Sequence, residues 1–210
     1  MTHPLPQPLA EALGVAADRW ASLPQPWLVG GSCGLAFHGV RIDAAPRDLD
    51  VYVDVDGASA FHRALAAYAT DEQQCNVTER YRSTLSHYTI RGVVLELVAG
   101  FEVRAEGALY RIDIAGLLLP YAATRELEGA RVRVAPLAHE LAFNLLRERS
   151  DRYERIAEAM RADLSAHLPA LRRLVAANVF DERWRARMRE LLGLPADAFA
   201  GGEEANVCRD

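Results

Sequence analysis

The chain has 210 residues, a net charge of −5 and 50% hydrophobic residues, which is typical of a globular protein with one substantial core. No segment approaches the roughly 20 consecutive apolar residues of a membrane span. The N-terminus lacks a basic segment followed by an apolar stretch, and the three cysteines are widely spaced without a CxxC pair. These features predict a cytoplasmic protein with no membrane association, no disulfide framework and no zinc knuckle.

The acidic net charge argues against a broad nucleic-acid surface, for which a basic face is expected. All 24 basic residues are arginine. Any binding of phosphate must therefore depend on arginine side chains or on backbone amides, and arginine can hold phosphate in a bidentate manner.

The first third of the chain predicts helices alternating with strands. Residues 9–23 form an amphipathic pattern that ends at the prolines of residues 24–26. Residues 27–29 predict a buried strand that runs into Gly30 and Gly31, followed by a short helix ending near Gly39. Residues 48–56 alternate strictly between acidic or polar and apolar side chains, as a strand does, and residues 59–69 predict a helix.

The rest of the chain predicts more strands and then only helices. Residues 77–82, 86–91, 93–98 and 109–114 are predicted strands, with a tight turn at Arg91 and Gly92. A short strand over 131–134 precedes Pro136, which is well placed to begin a helix. Residues 136–194 have helical periodicity, and Pro169 and Asp181 divide them into about four predicted helices.

The sequence therefore predicts an α+β fold in which a small mixed β-sheet with flanking helices is followed by a C-terminal helical bundle. We expect an α+β domain over residues 1–135 and a helical domain over residues 136–195. Residues 196–210 contain two successive glycines and two successive glutamates and are predicted to be a disordered tail.

A glycine turn is the first candidate functional feature. Gly30, Gly31 and Ser32 lie between the predicted strand and the predicted helix. Two glycines and a small hydroxyl residue at this place allow backbone amides to approach a phosphate closely. By itself the motif also fits an ordinary turn.

Two carboxylates on one strand are the second feature. Asp48 and Asp50 stand two residues apart and therefore point to the same face, with Arg47 directly before them. Like charges repel, so a cation or water must separate them. Mg²⁺ is commonly held by one or two carboxylates together with substrate phosphates. The alternative is a solvated strand face, because Asp54 and Asp56 continue the alternation.

A single acid in an apolar strand is the third feature. Glu96 lies among valines and leucines in residues 93–98. Since an unpaired buried carboxylate is costly, its side chain is expected to reach solvent, a cation or a metal. Asp113 is the competing acid, and we expect an ordinary surface or cross-strand role for it because Arg111 shares its face.

The histidines offer no clear site by sequence. His38 and His87 are isolated, and a structural or solvated role is expected for both. His139 and Glu140 begin like a zinc-protease helix, but Phe143 occupies the position of the second histidine.

In this order, the glycine turn, the Asp-x-Asp strand and the later acidic strand resemble the nucleotidyltransferase superfamily of the DNA-polymerase-β type. Residues 27–53 are most similar to aminoglycoside and lincosamide nucleotidyltransferases, in which an Arg-Asp-Leu-Asp run is common. Residues 93–100 and 132–147 are also similar to antitoxin-associated members. The resemblance covers residues 27–149.

The resemblance implies a transfer of a nucleoside monophosphate from a nucleoside triphosphate to an acceptor hydroxyl of a small molecule or another acceptor. The family's pattern assigns phosphate binding to Gly30, Gly31 and Ser32, and Arg47 could neutralise phosphate charge. It assigns catalysis and the coordination of two Mg²⁺ (or Mn²⁺) ions to three acids, which are Asp48, Asp50 and Glu96.

The sequence departs from the family near Asn144, where many relatives have a lysine that meets the triphosphate. Arg147 or Arg149 could take its place. Two other hypotheses therefore stay open beside the active enzyme. One is an antitoxin-like or regulatory protein with weak or no catalysis that acts through a protein partner, and the other is a module that binds nucleotide without turnover.

Overall fold

The computed structural model describes residues 4–127 and 129–199. Within them, the strands belong to a single sheet, and their bounds in chain order are β1 Trp27–Gly30, β2 Leu49–Val53, β3 Gln74–Val77, β4 Tyr81–Ile90, β5 Val93–Ala105, β6 Ala108–Arg111, β7 Ala123–Leu127, β8 Ala130–Val134 and β9 Val179–Phe180. The α-helices are α1 Gln7–Trp20, α2 Gly31–Phe37, α3 Ala58–Ala64, α4 Leu137–Leu146, α5 Ser150–Ala162, α6 Leu164–Ala177 and α7 Glu182–Leu192. No helix in these two ranges is both long and apolar enough to cross a membrane.

The sheet is mixed, as the sequence predicts. Its main order is β3-β4-β5-β2-β1-β8-β7, and β6 and β9 extend it from the second half of β5. β2 pairs with β1 in the antiparallel sense and with β5 in the parallel sense. The strand that contains Asp50 therefore lies between the strand that ends in the glycine turn and the strand that contains Glu96.

Helices cover both faces of the sheet, because the central strands bury side chains on both of their sides. On one face, α1 and α3 bury Leu13, Trp20 and Phe61 against Leu95 and Leu97. The two tryptophans Trp20 and Trp27 meet edge to face on this side. We call it the α1 face.

On the opposite face, which we call the α4 face, helices α4 to α7 pack against the sheet. Tyr52 and Val98 of the sheet share a hydrophobic cluster with Leu141, Ile156 and Leu174 of the helices. The predicted α+β architecture with a helical C-terminal region is thus confirmed. The helices after Pro136 share one core with the sheet, and β9, which lies among them, pairs with β6.

Three local predictions were wrong. The strand predicted over 77–82 is interrupted by a turn, because the hydroxyl of Thr78 accepts a hydrogen bond from the backbone N–H of Tyr81 at 2.9 Å and closes it. Strand β7 was not predicted, and pairing with β8 forms it. Pro169 lies inside α6, where the helix continues because four buried side chains pack into the core; these are Ala170, Leu171, Leu174 and Val175.

The break between α5 and α6 lies instead at Asp163, whose side chain caps α6 by accepting from the N–H of Ala166. The predicted cap at Asp181 is confirmed, since its side chain accepts from the N–H of Trp184 at 3.1 Å. The turn at Arg91 and Gly92 is also confirmed, with φ of 52° and 81° as a two-residue hairpin turn requires.

The beginning of the predicted tail is ordered. Ala198 is buried and its carbonyl accepts a hydrogen bond from Arg172 Nε at 3.0 Å, while Phe199 packs against the α4-face core. Two apolar side chains within reach of the helices explain this difference from the sequence prediction. Residues 200–210 of that prediction lie outside the described residues.

Candidate active site

The strand pairing places two of the predicted acids side by side. Asp50 of β2 is the register partner of Glu96 of β5, and on its other side it is the partner of Gly30 of β1. Because neighbouring residues in register point to the same face, both carboxylates lie on the α4 face. Asp48 comes just before β2, and its carbonyl oxygen accepts a hydrogen bond from Cys33 Sγ at 3.2 Å.

The glycine turn adjoins Asp50 so closely that no side chain fits between them. A Cβ atom on Gly31 would lie 1.8 Å from Asp50 Oδ2, and one on Gly30 would lie 2.0 Å from the ring of Tyr52. Gly31 also has a φ of +55°, which only glycine adopts without strain. Both glycines are therefore required by the fold of the site, whatever ligand it takes.

Burial and the neighbouring charges raise the pKa of Asp50 to about 6. Burial is the largest cause, and the neighbouring carboxylates Asp48 and Glu96 add to the rise, while Arg152 and Arg147 oppose it. Asp48 and Glu96 thus lie close enough to Asp50 to repel its carboxylate, which is a condition that a bound cation relieves.

The donor set fits a hard divalent cation. Asp50 and Glu96 offer carboxylate oxygens side by side, and Mg²⁺ typically takes one or two carboxylates and completes its shell with substrate phosphates and water. In residues 4–127 and 129–199, however, no three His, Cys, Asp or Glu side chains are already grouped as a metal site. Coordination by all three acids remains a prediction.

A buried carboxyl group beneath the glycine turn was not foreseen from the sequence. Glu140 of α4 is fully buried, and its Oε1 accepts the backbone N–H of Gly31 at 2.8 Å. Burial raises the pKa of Glu140 to about 8, although the hydrogen bond from Gly31 opposes this rise. The N–H of Gly31 is consequently used inside the protein, so phosphate binding by this turn would depend on Ser32 and on neighbouring groups.

Asn144, at the position of the family lysine, is buried and does not face the cavity. Its Nδ2 donates to the carbonyl oxygen of Glu140 at 2.8 Å, one helical turn earlier. Its role in the structure is therefore to support Glu140 from within α4.

A cavity of about 280 Å³ opens beside the two acids, between the sheet and the helices. Asp50 and Glu96 lie at its wall, and its cations are Arg147 at the end of α4 and Arg152 of α5. Four aromatic rings also line it, namely those of Tyr52, Tyr81, Phe101 and Phe143.

Of the two arginines proposed to replace the lysine, only Arg147 lines this cavity. Its guanidinium lies 4.7 Å from the ring centre of Phe143. Arg149 instead forms an ion pair with Asp151 at 2.7 Å. Arg152 was missed by sequence analysis, since no motif separates it from the other arginines of the helices.

Several sequence candidates lie outside the cavity wall, namely Gly30, Ser32, Arg47, Asp48 and Asp113. Arg47 is exposed in the segment before β2. Asp113 has the ordinary role that was expected, because its Oδ1 accepts from the N–H of Gly116 at 2.7 Å and caps a short helical turn.

No protein-family model matches this chain, and no curated protein is significantly similar to it in sequence. Solved structures are similar in fold. TM1012 of Thermotoga maritima, a protein assigned as a nucleotidyltransferase, has a TM-score of 0.57 and 24% identity over 74% of this chain and 91% of that chain. The antibiotic-resistance factor ANT(2'')-Ia has a TM-score of 0.50 and 13% identity over 87% of this chain and 94% of that chain.

The lincosamide antibiotic adenylyltransferase LnuA is a more distant match, with a TM-score of 0.42 and 10% identity over 66% of this chain and 85% of that chain. The likeness to TM1012 and ANT(2'')-Ia shows that the chain has the nucleotidyltransferase fold, as the resemblance of residues 27–149 implied. At such identities the likeness concerns the fold, and the activity has to be argued from the site itself.

Proposed function

We propose that this protein is a nucleotidyltransferase that moves a nucleoside monophosphate from a nucleoside triphosphate to an acceptor hydroxyl, with release of pyrophosphate. The observation that carries the proposal is the pairing of Asp50 with Glu96 beside the glycine turn. Both acids face a cavity that also contains Arg147 and Arg152. Opposite charges at the two sides of one cavity suit a metal-bound polyphosphate.

The arginines would bind the triphosphate. Arg147 and Arg152 reach the cavity from the end of α4 and from α5, and both are near enough to Asp50 to influence its pKa. A guanidinium is always charged and can hold two phosphate oxygens at once. Arg147 would thereby supply the charge that the lysine supplies in many relatives.

Asp48, Asp50 and Glu96 would hold Mg²⁺ or Mn²⁺. When bound, the metal would supply charge stabilisation for the attacking and leaving oxygens of an in-line displacement. In this scheme the acceptor oxygen forms a bond to the α-phosphorus, the bond from that phosphorus to the β-phosphate oxygen breaks, and pyrophosphate leaves. Glu96 would accept the hydroxyl proton at its carboxylate.

The acceptor would bind between the sheet and the helices, where Tyr81, Phe101 and Phe143 line the cavity. Tyr81 and Phe101 are stacked with ring centres 6.1 Å apart, and Phe143 meets Phe101 edge to face. Such a wall suits an apolar or planar part of a small molecule or of a larger acceptor. A cytoplasmic location, where nucleoside triphosphates are available, belongs to the same proposal.

The alternative function is that of an antitoxin-like or regulatory protein that acts through a protein partner. Asn144 favours it, because a buried amide stands where a triphosphate-binding lysine would be expected. The paired acids count against it, since a protein without catalysis gains nothing from two adjacent carboxylates that repel each other.

The deciding experiment compares Asp50→Asn with the wild type. In the wild type, Mg²⁺ with ATP, GTP, CTP or UTP should raise the thermal midpoint, because a ligand at about 100 times its Kd stabilises by about 2.7 kcal/mol. We expect Asp50→Asn to fold, to lose this rise and to release no pyrophosphate with a panel of hydroxylated acceptors. Asp56→Asn, at an exposed acid beyond β2, should keep both properties.

The wild type itself distinguishes the two functions. If none of the four nucleotides shifts its thermal midpoint and no pyrophosphate is released, the transferase is excluded and the partner-binding function is favoured. A shift that persists in Asp50→Asn would place the nucleotide elsewhere on the protein and would likewise contradict the proposal.

A further inference from the structure

A histidine expected to be merely structural or solvated links Glu96 to a second carboxylate. His87 of β4 is the direct antiparallel partner of Glu96 on β5. Its Nδ1 lies 2.5 Å from Asp71 Oδ2, and its Nε2 lies 3.8 Å from Glu96 Oε1. The three side chains thus form a line, Asp71–His87–Glu96, that ends at the proposed active site.

Asp71 holds the imidazole with both of its oxygens. Oδ1 accepts the backbone N–H of His87 at 2.7 Å, and Oδ2 accepts from the ring at Nδ1. Because an ionised carboxylate only accepts hydrogen bonds, the ring donates to Asp71 from Nδ1, and it donates toward Glu96 as well when Nε2 is also protonated, as in an imidazolium between two carboxylates. This contact fixes the rotation of the ring and directs Nε2 toward Glu96.

The ring contact is not needed to hold the loop that contains Asp71. The N–H of Thr70 already donates to the carbonyl of His87 at 2.9 Å, and Ala69 forms a β-bridge with Tyr88. Two backbone contacts therefore attach this segment to β4. The orientation that Asp71 gives to the imidazole therefore matters for the side chain near Nε2, which is Glu96.

Glu96 needs such support. Its side chain is 37% exposed, and holding a partly exposed glutamate in one rotamer costs conformational entropy that a hydrogen-bonding partner offsets. A movement of about 1 Å converts the present 3.8 Å separation into a hydrogen bond. A partner of this kind typically changes metal affinity or activity by about 10- to 100-fold.

We propose that His87, held by Asp71, is a positioning residue that keeps the Glu96 carboxylate turned toward the acceptor side of the active site. The role of Glu96 rests on the proposed nucleotidyltransferase function, whereas the contact between His87 and Glu96 does not. The residue would act through Glu96 and would touch neither nucleotide nor acceptor.

Two conservative variants separate positioning from a purely structural role. The amide of Gln in His87→Gln can replace Nε2 and donate toward Glu96, whereas the amide of Asn in His87→Asn can replace Nδ1 and donate toward Asp71. We expect His87→Ala to lower kcat about tenfold with little change in the KM for nucleotide. His87→Gln should restore more of the rate than His87→Asn, and a structural role through Asp71 predicts the reverse order.

His62→Ala is the matched control, because His62 lies near the same loop but bonds the hydroxyl of Tyr88 at 2.7 Å rather than Glu96. It should change kcat less than twofold. Binding of Mn²⁺ in the presence of a non-hydrolysable nucleotide, measured by calorimetry, should weaken in His87→Ala and recover in His87→Gln. Equal Mn²⁺ affinity in the wild type, His87→Ala and His87→Gln, or a better rescue of the rate by His87→Asn, would overturn the proposal.

A measurement independent of activity tests the contact itself. Long-range ¹H–¹⁵N spectra of the imidazole rings, with His87 assigned through His87→Gln, should show the Nε2 resonance of His87 shifted in Glu96→Gln and unchanged in Asp56→Asn. An Nε2 resonance insensitive to Glu96→Gln would refute the contact even in a fully active enzyme. If the wild type binds no nucleotide but the resonance shifts, the proposed function fails while the contact stands.

Discussion

The two faces of the sheet differ in what they bury. The described core of the α1 face consists mainly of apolar side chains such as Leu13, Trp20 and Leu95, and its buried Tyr88 hydroxyl is bonded to His62 and Ser86. The α4 face contains the same kind of core further out, but next to the glycine turn it also buries Glu140 and Asn144. One sheet thus has a face that only stabilises and a face that also holds the site.

The polar groups of the α4 face are only partly satisfied. Tyr110 Oη and His139 Nδ1 lie 2.5 Å apart, and Glu140 accepts from Gly31. In the described part of the chain, however, Asn144 Oδ1 and His139 Nε2 are buried without a hydrogen-bond partner. Each such group lowers the free energy of unfolding by about 1–3 kcal/mol, so the α4 face is less stabilising near the proposed active site.

We expect the largest loss of stability when the helices of the α4 face are removed. A fragment that ends at Ala135 would expose the apolar side of the sheet, including Tyr52 and Val98, and would lose the pairing of β9 with β6. We expect it to aggregate and to unfold without cooperativity, because a large exposed apolar patch drives association. Size-exclusion chromatography and thermal unfolding check this.

A soluble fragment with a cooperative transition would show instead that residues 1–135 are an independent domain. The division at residue 135, predicted from the change in composition, would then describe folding units. Because the sheet and the helices after residue 135 share one core on the α4 face, we expect instead that residues 1–135 do not fold independently.

Truncation of one buried leucine on each face should have the next largest effect on stability. Leu13 and Leu141 are both fully buried, the first on the α1 face and the second on α4. Leu13→Ala and Leu141→Ala should each lower the free energy of unfolding by about 2–5 kcal/mol. Only Leu141→Ala should also weaken nucleotide stabilisation, because α4 supports Glu140; an equal effect of both on nucleotide binding would contradict the assignment of the faces.

A glycine pair tests the contact between the turn and Asp50. Gly31 and Gly39 both have positive φ, but a Cβ on Gly39 meets nothing within 4 Å, whereas one on Gly31 meets Asp50. Each alanine substitution should cost about 1–2 kcal/mol of backbone strain. In chemical denaturation Gly31→Ala should cost about 1–2 kcal/mol more and, unlike Gly39→Ala, should abolish the thermal shift by Mg²⁺ and nucleotide.

Much of the site could be predicted because its signals are local. The spacing of Asp48 and Asp50, the two adjacent glycines and the single acid in residues 93–98 each need only a few neighbouring residues to be recognised. The pairing of β2 with β5 then brings Asp50 and Glu96 together, as the resemblance implied.

The missed residues depend on contacts that are distant in sequence. Glu140 bonds Gly31 across 109 residues, and Asp71 bonds His87 across 16. Glu140 lies in the apolar helix Leu137–Leu146, which indicates burial but not its partner Gly31, and nothing in the local pattern distinguishes Arg152 from its neighbours. Such contacts arise only once the helices have packed on the sheet, and they require the three-dimensional structure.

The last prediction concerns the charge of Glu140 and the pH dependence of stability. Its pKa is raised from 4.5 to about 8 on folding, so between these values the folded state binds more protons than the unfolded state. The free energy of unfolding of the wild type should therefore fall as the pH rises through this window, by up to about 1.4 kcal/mol per pH unit.

The protonated acid still accepts the N–H of Gly31, and the amide oxygen of Gln does so at every pH. Glu140→Gln should accordingly match the wild type near pH 5 and exceed it at pH 8, as denaturant unfolding at both pH values would show. Parallel pH curves for the two proteins would mean that Glu140 is ionised in the folded protein and that the α4 face tolerates a buried charge.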